Sequence, residues 1–217
     1  MLTLRQPAVG AWARGWIAAL SSVLMLGCIG ANPSSMGLAP VQFDSGLDRI
    51  AFEMLPSGES IEVLNREGLL LLRVDRGGSE LSVLDARGLP VGQISRGDTE
   101  AFRGLRWGAP DGRSRFSVKF EADGDLEVED ELGETVCKLK RRDYGFKLVD
   151  SAGETVARIR RSESGKISIR DAENLTYLTT RDEFPVEAAA LLSIPDLAFA
   201  EASGLAIALW IWPSVAP

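Results

Sequence analysis

The chain has 217 residues, 45% of them hydrophobic and 25% charged, which is enough for one globular domain plus a processed segment. It contains no histidine, which removes imidazole acid–base chemistry and the commonest metal ligand. A net charge of −7 and a pI near 4.8 argue against a nucleic-acid binder, because neutralising phosphates normally requires a basic footprint.

Residues 1–43 carry no acid. Arg5 and Arg14 precede the apolar run GWIAALSSVLMLG, Gly15 to Gly27, which Cys28 follows. This is a positive n-region, an h-region and a small residue before a cleavage point, and the run is shorter than the roughly 20 residues that span a bilayer. The ending LMLGC resembles a bacterial lipoprotein signal. That resemblance implies cleavage before Cys28, lipidation of its thiol (a palmitate-type anchor) and attachment to a membrane of the cell envelope. The alternative is ordinary secretion with cleavage after Ala31. The reading is therefore a signal peptide over residues 1–27, a flexible tether over 28–46 and a folded domain over 47–217.

From Leu47 to Arg181 the chain alternates apolar and polar residues in short runs broken by Gly and Asp, which predicts strands and turns. A repeat organises them: a strand, Asp or Asn, two variable residues, Gly, and a second strand. It occurs as IEVLNREGLLLLRVDR, LSVLDARGLPVGQISR, LEVEDELGETVCKLKR and FKLVDSAGETVARIRR, and as ISIRDAENLTYLTTRD with Asn174 in place of Gly. Asn65, Asp85, Asp130, Asp150 and Asp171 are read as turn formers, with the following Gly supplying positive φ. LRWGAPDGRSRFSVKF fills the longest gap between copies. Six hairpins make twelve strands, and closing them into a barrel removes the exposed edges.

Positions seven and nine after the turn residue share one face of the second strand. They are Leu72, Gly92, Cys137 and Ala157, then Val74, Ile94, Leu139 and Ile159. Mostly small residues at the first level leave room for another element inside the barrel. The apolar segment from Val186 to Trp212 is the candidate, since it shows no polar face at helical spacing. Pro195 divides it into a short helix at 186–193 and a main helix at about 195–212. The expected fold is mainly β: a twelve-stranded antiparallel closed barrel of six hairpins around a buried C-terminal hydrophobic helix.

The hairpin series from Ile61 to Arg181, especially FKLVDSAGETVARI, together with the apolar segment, resembles the tubby-like superfamily. That superfamily includes the LURP-one-related proteins and the phospholipid scramblases. The resemblance implies a twelve-stranded barrel enclosing a C-terminal hydrophobic helix. Pro195 and Gly204 depart from the family's usual ending, and the calcium-binding motif associated with scramblases is not evident, so scrambling is not inherited from the fold.

Two basic sets are candidate sites. Arg76, Arg96, Arg141 and Arg161 occupy position eleven of the repeat, on the inward phase, which predicts a cluster at the rim away from the D-x-x-G turns. Guanidinium groups there suit an anion or lipid headgroup; alternatively they neutralise Asp196 and Glu201 of an entering helix. Lys138, Lys140, Arg142, Arg158 and Arg160 lie on the opposite phase. They resemble the basic strand pair with which tubby domains hold phosphoinositides, and they also fit an ordinary solvated face. Cys137 reads as a small buried hydrophobe. No motif implies a catalytic residue, metal or cofactor. The expected function is that of a membrane-tethered, non-enzymatic lipid- or anion-binding or structural module of the envelope. A lipid-acting enzyme or transfer protein, and a protein-interaction module, are the alternatives.

Overall fold

The computed structural model describes residues 36–45 and 52–212, all within the compact unit Ala31–Pro217. The expected signal peptide, Cys28 and most of the expected tether lie outside the described residues.

Among the described residues the fold is mainly β, a closed antiparallel barrel with two short helices. The strands are β1 (Val41–Ser45), β2 (Phe52–Ser57), β3 (Ser60–Asn65), β4 (Leu70–Gly77), β5 (Glu80–Asp85), β6 (Pro90–Thr99) and β7 (Phe102–Gly108). They continue as β8 (Ser114–Phe120), β9 (Leu126–Asp130), β10 (Thr135–Arg142), β11 (Gly145–Asp150), β12 (Thr155–Arg161), β13 (Ile167–Asp171) and β14 (Thr176–Thr180). Each strand pairs with its sequence neighbours, and β1 closes the ring by pairing with both β2 and β14.

Among the described residues the barrel has fourteen strands, not the twelve expected from the repeat. The twelve strands of the six hairpins are β3 to β14. The additional pair, β1 and β2, has no D-x-x-G turn and so carries no repeat signature. Its alternation is short but real: Val41 and Phe43 on β1, and Phe52, Met54 and Pro56 on β2, face the core. Val41–Ser45 is thus a strand rather than the end of a tether.

Turn chemistry sets one end of the barrel. Asn65 Oδ1 accepts hydrogen bonds from the Glu67 and Leu69 backbone N–H groups at 3.0 and 2.8 Å. Asp85 and Asp130 repeat this pattern at their own turns. In these turns Gly68, Gly88 and Gly133 have φ between +76° and +81°, and Asn174 has φ +69°, the left-handed region open to glycine and tolerated by asparagine.

After β14 the chain forms α1 (Val186–Leu191) and α2 (Phe199–Ile211). α1 packs on β11, β12 and β13, α2 packs on β4 to β7, and the helices pack on each other. Glu201 to Trp210 are buried, while Phe199 is 39% exposed and Ile211 and Trp212 are half-buried. The main helix begins at Phe199 rather than near Pro195. Glu201, at its third position, turns back to accept a hydrogen bond from the Ala198 backbone N–H at 2.8 Å, which caps the helix there. Residues 192–198 form the connection.

Gly92, one of the small inward positions of the repeat, gives room to a strand side chain. A side chain at Gly92 would strike the Trp107 indole at 2.2 Å, and one at Gly204 would strike the same ring at 2.7 Å. The small residue of the second repeat therefore accommodates Trp107, and Trp107 in turn meets α2 at Gly204.

Candidate functional site

The four position-eleven arginines stand at one end of the barrel, each with its own surroundings. They lie on β4, β6, β10 and β12, no two of which are neighbours. The Arg161 guanidinium donates to the Phe184 carbonyl at 2.6 Å, fixing the crossing from β14 to α1. Arg96 Nε pairs with Asp98 at 2.8 Å. The Arg141 side chain lies over Gly124, and Arg76 is exposed. The four strand ends form two pairs on the ring, β4 with β6 and β10 with β12, each pair one strand apart.

These arginines do not neutralise Glu201 either. Glu201 Oε1 meets Arg115 at 3.1 Å, and Arg115 stands beside the Gly108–Ser114 turn at the opposite end of the barrel. α2 therefore starts at the D-x-x-G end and runs towards the arginine rim. There Trp210 meets Phe184 edge-on, with ring centroids 5.3 Å apart. Beside them is a half-open cavity of about 380 Å³ lined by Leu38, Arg161, Glu183, Phe184, Pro185 and Trp210.

The outward basic residues are brought together. Cross-strand pairing sets Lys140 opposite Lys147, Lys147 opposite Arg158, and Arg158 opposite Arg170. Four cations thus stand in one row across β10, β11, β12 and β13, with neighbours about 4.8 Å apart through the backbone. Arg142 and Arg160 flank the row one step towards the rim, both paired with Gly145. Lys138 lies on the other side and pairs with Glu127 at 3.2 Å. Among the described residues none of Lys140, Lys147, Arg158 and Arg170 has an ion-pair partner. Arg158 donates to the Ala172 carbonyl, Arg170 donates to Asn174 at 3.4 Å, and the Arg170 Nε is shielded from solvent without a hydrogen-bond partner.

Lys147 and Arg170 were missed by the sequence reading. They lie three residues and one residue before their turn Asp, whereas Lys140 and Arg158 lie ten and eight residues after theirs. The signal in the sequence is only that all four are outward in phase; the row itself comes from the stagger of the strands.

Two other groups are perturbed. A hydrogen bond from Thr135, aided by Lys138, holds the Glu127 carboxyl below its ordinary range despite some desolvation. Burial, with a further contribution from Asp196, pushes the Cys137 thiol up to about 12. Cys137 is thus a buried, protonated side chain at neutral pH. Among the described residues no group of three or more Cys, Asp or Glu could hold a metal ion.

The described residues define an up-and-down antiparallel barrel with a strongly basic stretch of outer wall. No family model matches the chain, and no curated protein matches it. Among solved structures, the crystal structure of BamB from Moraxella catarrhalis is similar to it at 11% identity and a TM-score of 0.28, over 60% of this chain and 69% of that one. A likeness that distant carries no argument about fold or function.

Proposed function

We propose that this chain is a membrane-tethered envelope lipoprotein whose barrel is a non-enzymatic module that binds an anionic ligand on the outer wall of β10 to β13. The observation that carries the reading is the row of four directly opposed cations. Like charges facing each other across neighbouring strands are destabilising. Such a row on an acidic chain is accounted for by an anion that neutralises it. Charged residues also occupy outward positions elsewhere, as at Glu62, Arg73 and Asp75, which is the pattern of a wall facing water. No helix among the described residues is long and apolar enough to cross a membrane, and the anchor in this reading is lipid on Cys28.

The tubby-like relationship belongs to the same proposal. It is supported by the six consecutive hairpins followed by an apolar helix whose residues Glu201 to Trp210 are buried. In this reading α2 is the filling of the barrel, and β1 and β2 are an addition to the family's twelve strands.

Flotation with anionic and with zwitterionic vesicles tests the anion site. Retention on anionic vesicles alone, weakened in the Lys140→Gln/Arg158→Gln variant, is the expected result; equal flotation of parent and variant would sink the reading. Mass spectrometry of the mature N-terminus tests the anchor, which requires a diacylglyceryl adduct on Cys28 that the Cys28→Ser variant lacks.

A protein-interaction role has its own support. Leu69, Leu89, Leu132 and Leu175 are 56–80% exposed, and they and Phe199 all project at the D-x-x-G end.

A further inference from the structure

We infer that the ligand of the β10–β13 wall is a linear polyanion, a flexible chain with anionic groups of the phosphate type repeated every few ångströms, rather than a single headgroup. This rests on reading that wall as an anion site, and it goes further by using the shape of the cation array.

Three features set the shape. First, the cations form a line: Lys140, Lys147, Arg158 and Arg170 are successive cross-strand partners, so the row extends about 14 Å round the barrel at the interstrand spacing. Second, the line is convex. Three steps of a fourteen-stranded ring turn through roughly 75°, so the end cations point away from each other. A compact anion touches two neighbouring cations and leaves the others facing like charge. Third, the flanking positions widen the track: Arg142 and Arg160 stand one step along their strands on the rim side, separated by Gly145, which has no side chain to stand between them. A chain that bends over the wall can place successive anionic groups on successive cations; a flat surface meets the middle of the arc first. The side chains suit this: guanidinium groups grip phosphate oxygens in pairs, and the lysines act as point charges.

Binding of this kind releases counterions, so it weakens steeply with salt, and each lost contact makes the slope of log affinity against log salt shallower by about one. The test measures binding of the full chain to long-chain inorganic polyphosphate, tripolyphosphate and orthophosphate at matched total phosphate. A salt series and anionic vesicles are run in parallel. The expected result is tight binding of the long chain, at least ~10-fold weaker binding of tripolyphosphate and none of orthophosphate, with a slope of about −3. The Lys140→Gln/Lys147→Gln/Arg158→Gln/Arg170→Gln variant should lose the long-chain binding while its Tm stays level or rises, because opposed like charges are removed. If that variant does not fold, Lys147→Gln alone should flatten the slope by about one at unchanged Tm. Arg66→Gln/Arg87→Gln, at the other turns, should bind like the parent.

Equal affinity for tripolyphosphate and the long chain, or full binding by the quadruple variant, overturns the inference. Binding to anionic vesicles without binding to polyphosphate overturns it and keeps the anion-site reading. Binding to neither overturns both.

Discussion

Trp107 is 1% exposed and is held between two glycines, Gly92 on β6 and Gly204 on α2. An added methyl at either glycine meets the indole well inside contact distance, so Gly204→Ala and Gly92→Ala should each cost about 1–3 kcal/mol by overpacking, measured by urea denaturation. Cys137 is expected to resist iodoacetamide in the native protein at pH 8 and to react only in denaturant, since its thiol stays protonated up to about pH 12. Glu127 gives a pH dependence of opposite sense. Its folded-state pKa is depressed by Thr135 and Lys138, so its contribution to stability is present above the ordinary carboxylate pKa and lost as pH falls through the depressed value. The Tm gap between the parent and Thr135→Val should therefore be open at neutral pH and close on acidification.

At the scale of elements, the hairpins were legible because their turns are local. An Asx side chain binding backbone N–H groups two and four residues on, with Gly in the left-handed region, requires nothing from elsewhere in the chain. The start of α2 was not legible, because it depends on Glu201 turning back to Ala198 and on Arg115, 86 positions away in sequence, meeting that carboxylate at 3.1 Å. Glu201→Ala removes the cap and the pair together and should cost about 1–2 kcal/mol. Arg115→Gln should cost under about 1 kcal/mol, since Arg115 is 54% exposed and its side of the pair is screened. Truncation after Thr180 removes both helices and with them the α2 neighbour of Trp107 and the α1 packing on β11 to β13. The truncated chain should show no cooperative thermal transition, and a sharp one would show that the strands close without the helices.

At the scale of the molecule, closure joins elements from the two ends of the domain. β1 pairs with β14, and Phe43 on β1 contacts both Phe52 and Phe184, at 4.9 and 5.3 Å between ring centroids. Phe52 continues to Phe199, and Phe184 to Trp210, so a chain of rings runs from one end of α2 to the other by way of the closing strands. Phe43→Ala breaks this chain in the middle and should cost about 3–5 kcal/mol, the range for deleting a buried aromatic, with a lower urea midpoint as the readout. This closure explains why two strands without a repeat signature complete the barrel: the six hairpins leave β3 and β14 as open edges, and β1 and β2 pair them.

Local sequence is enough to specify the strand-and-turn pattern, the six hairpins, the inward positions of Val74, Ile94, Leu139 and Ile159, and the apolar character of the tail. All of these follow from alternation and turn chemistry within a few residues. The number of strands, the direction of α2, the partners of Arg96 and Arg161, and the alignment of Lys140 and Arg158 with Lys147 and Arg170 come from the tertiary structure. The physical reason is register. A repeat position fixes which face a side chain takes, whereas which side chains become neighbours depends on the stagger between strands and on how the ring closes, and both are set by contacts far apart in the chain.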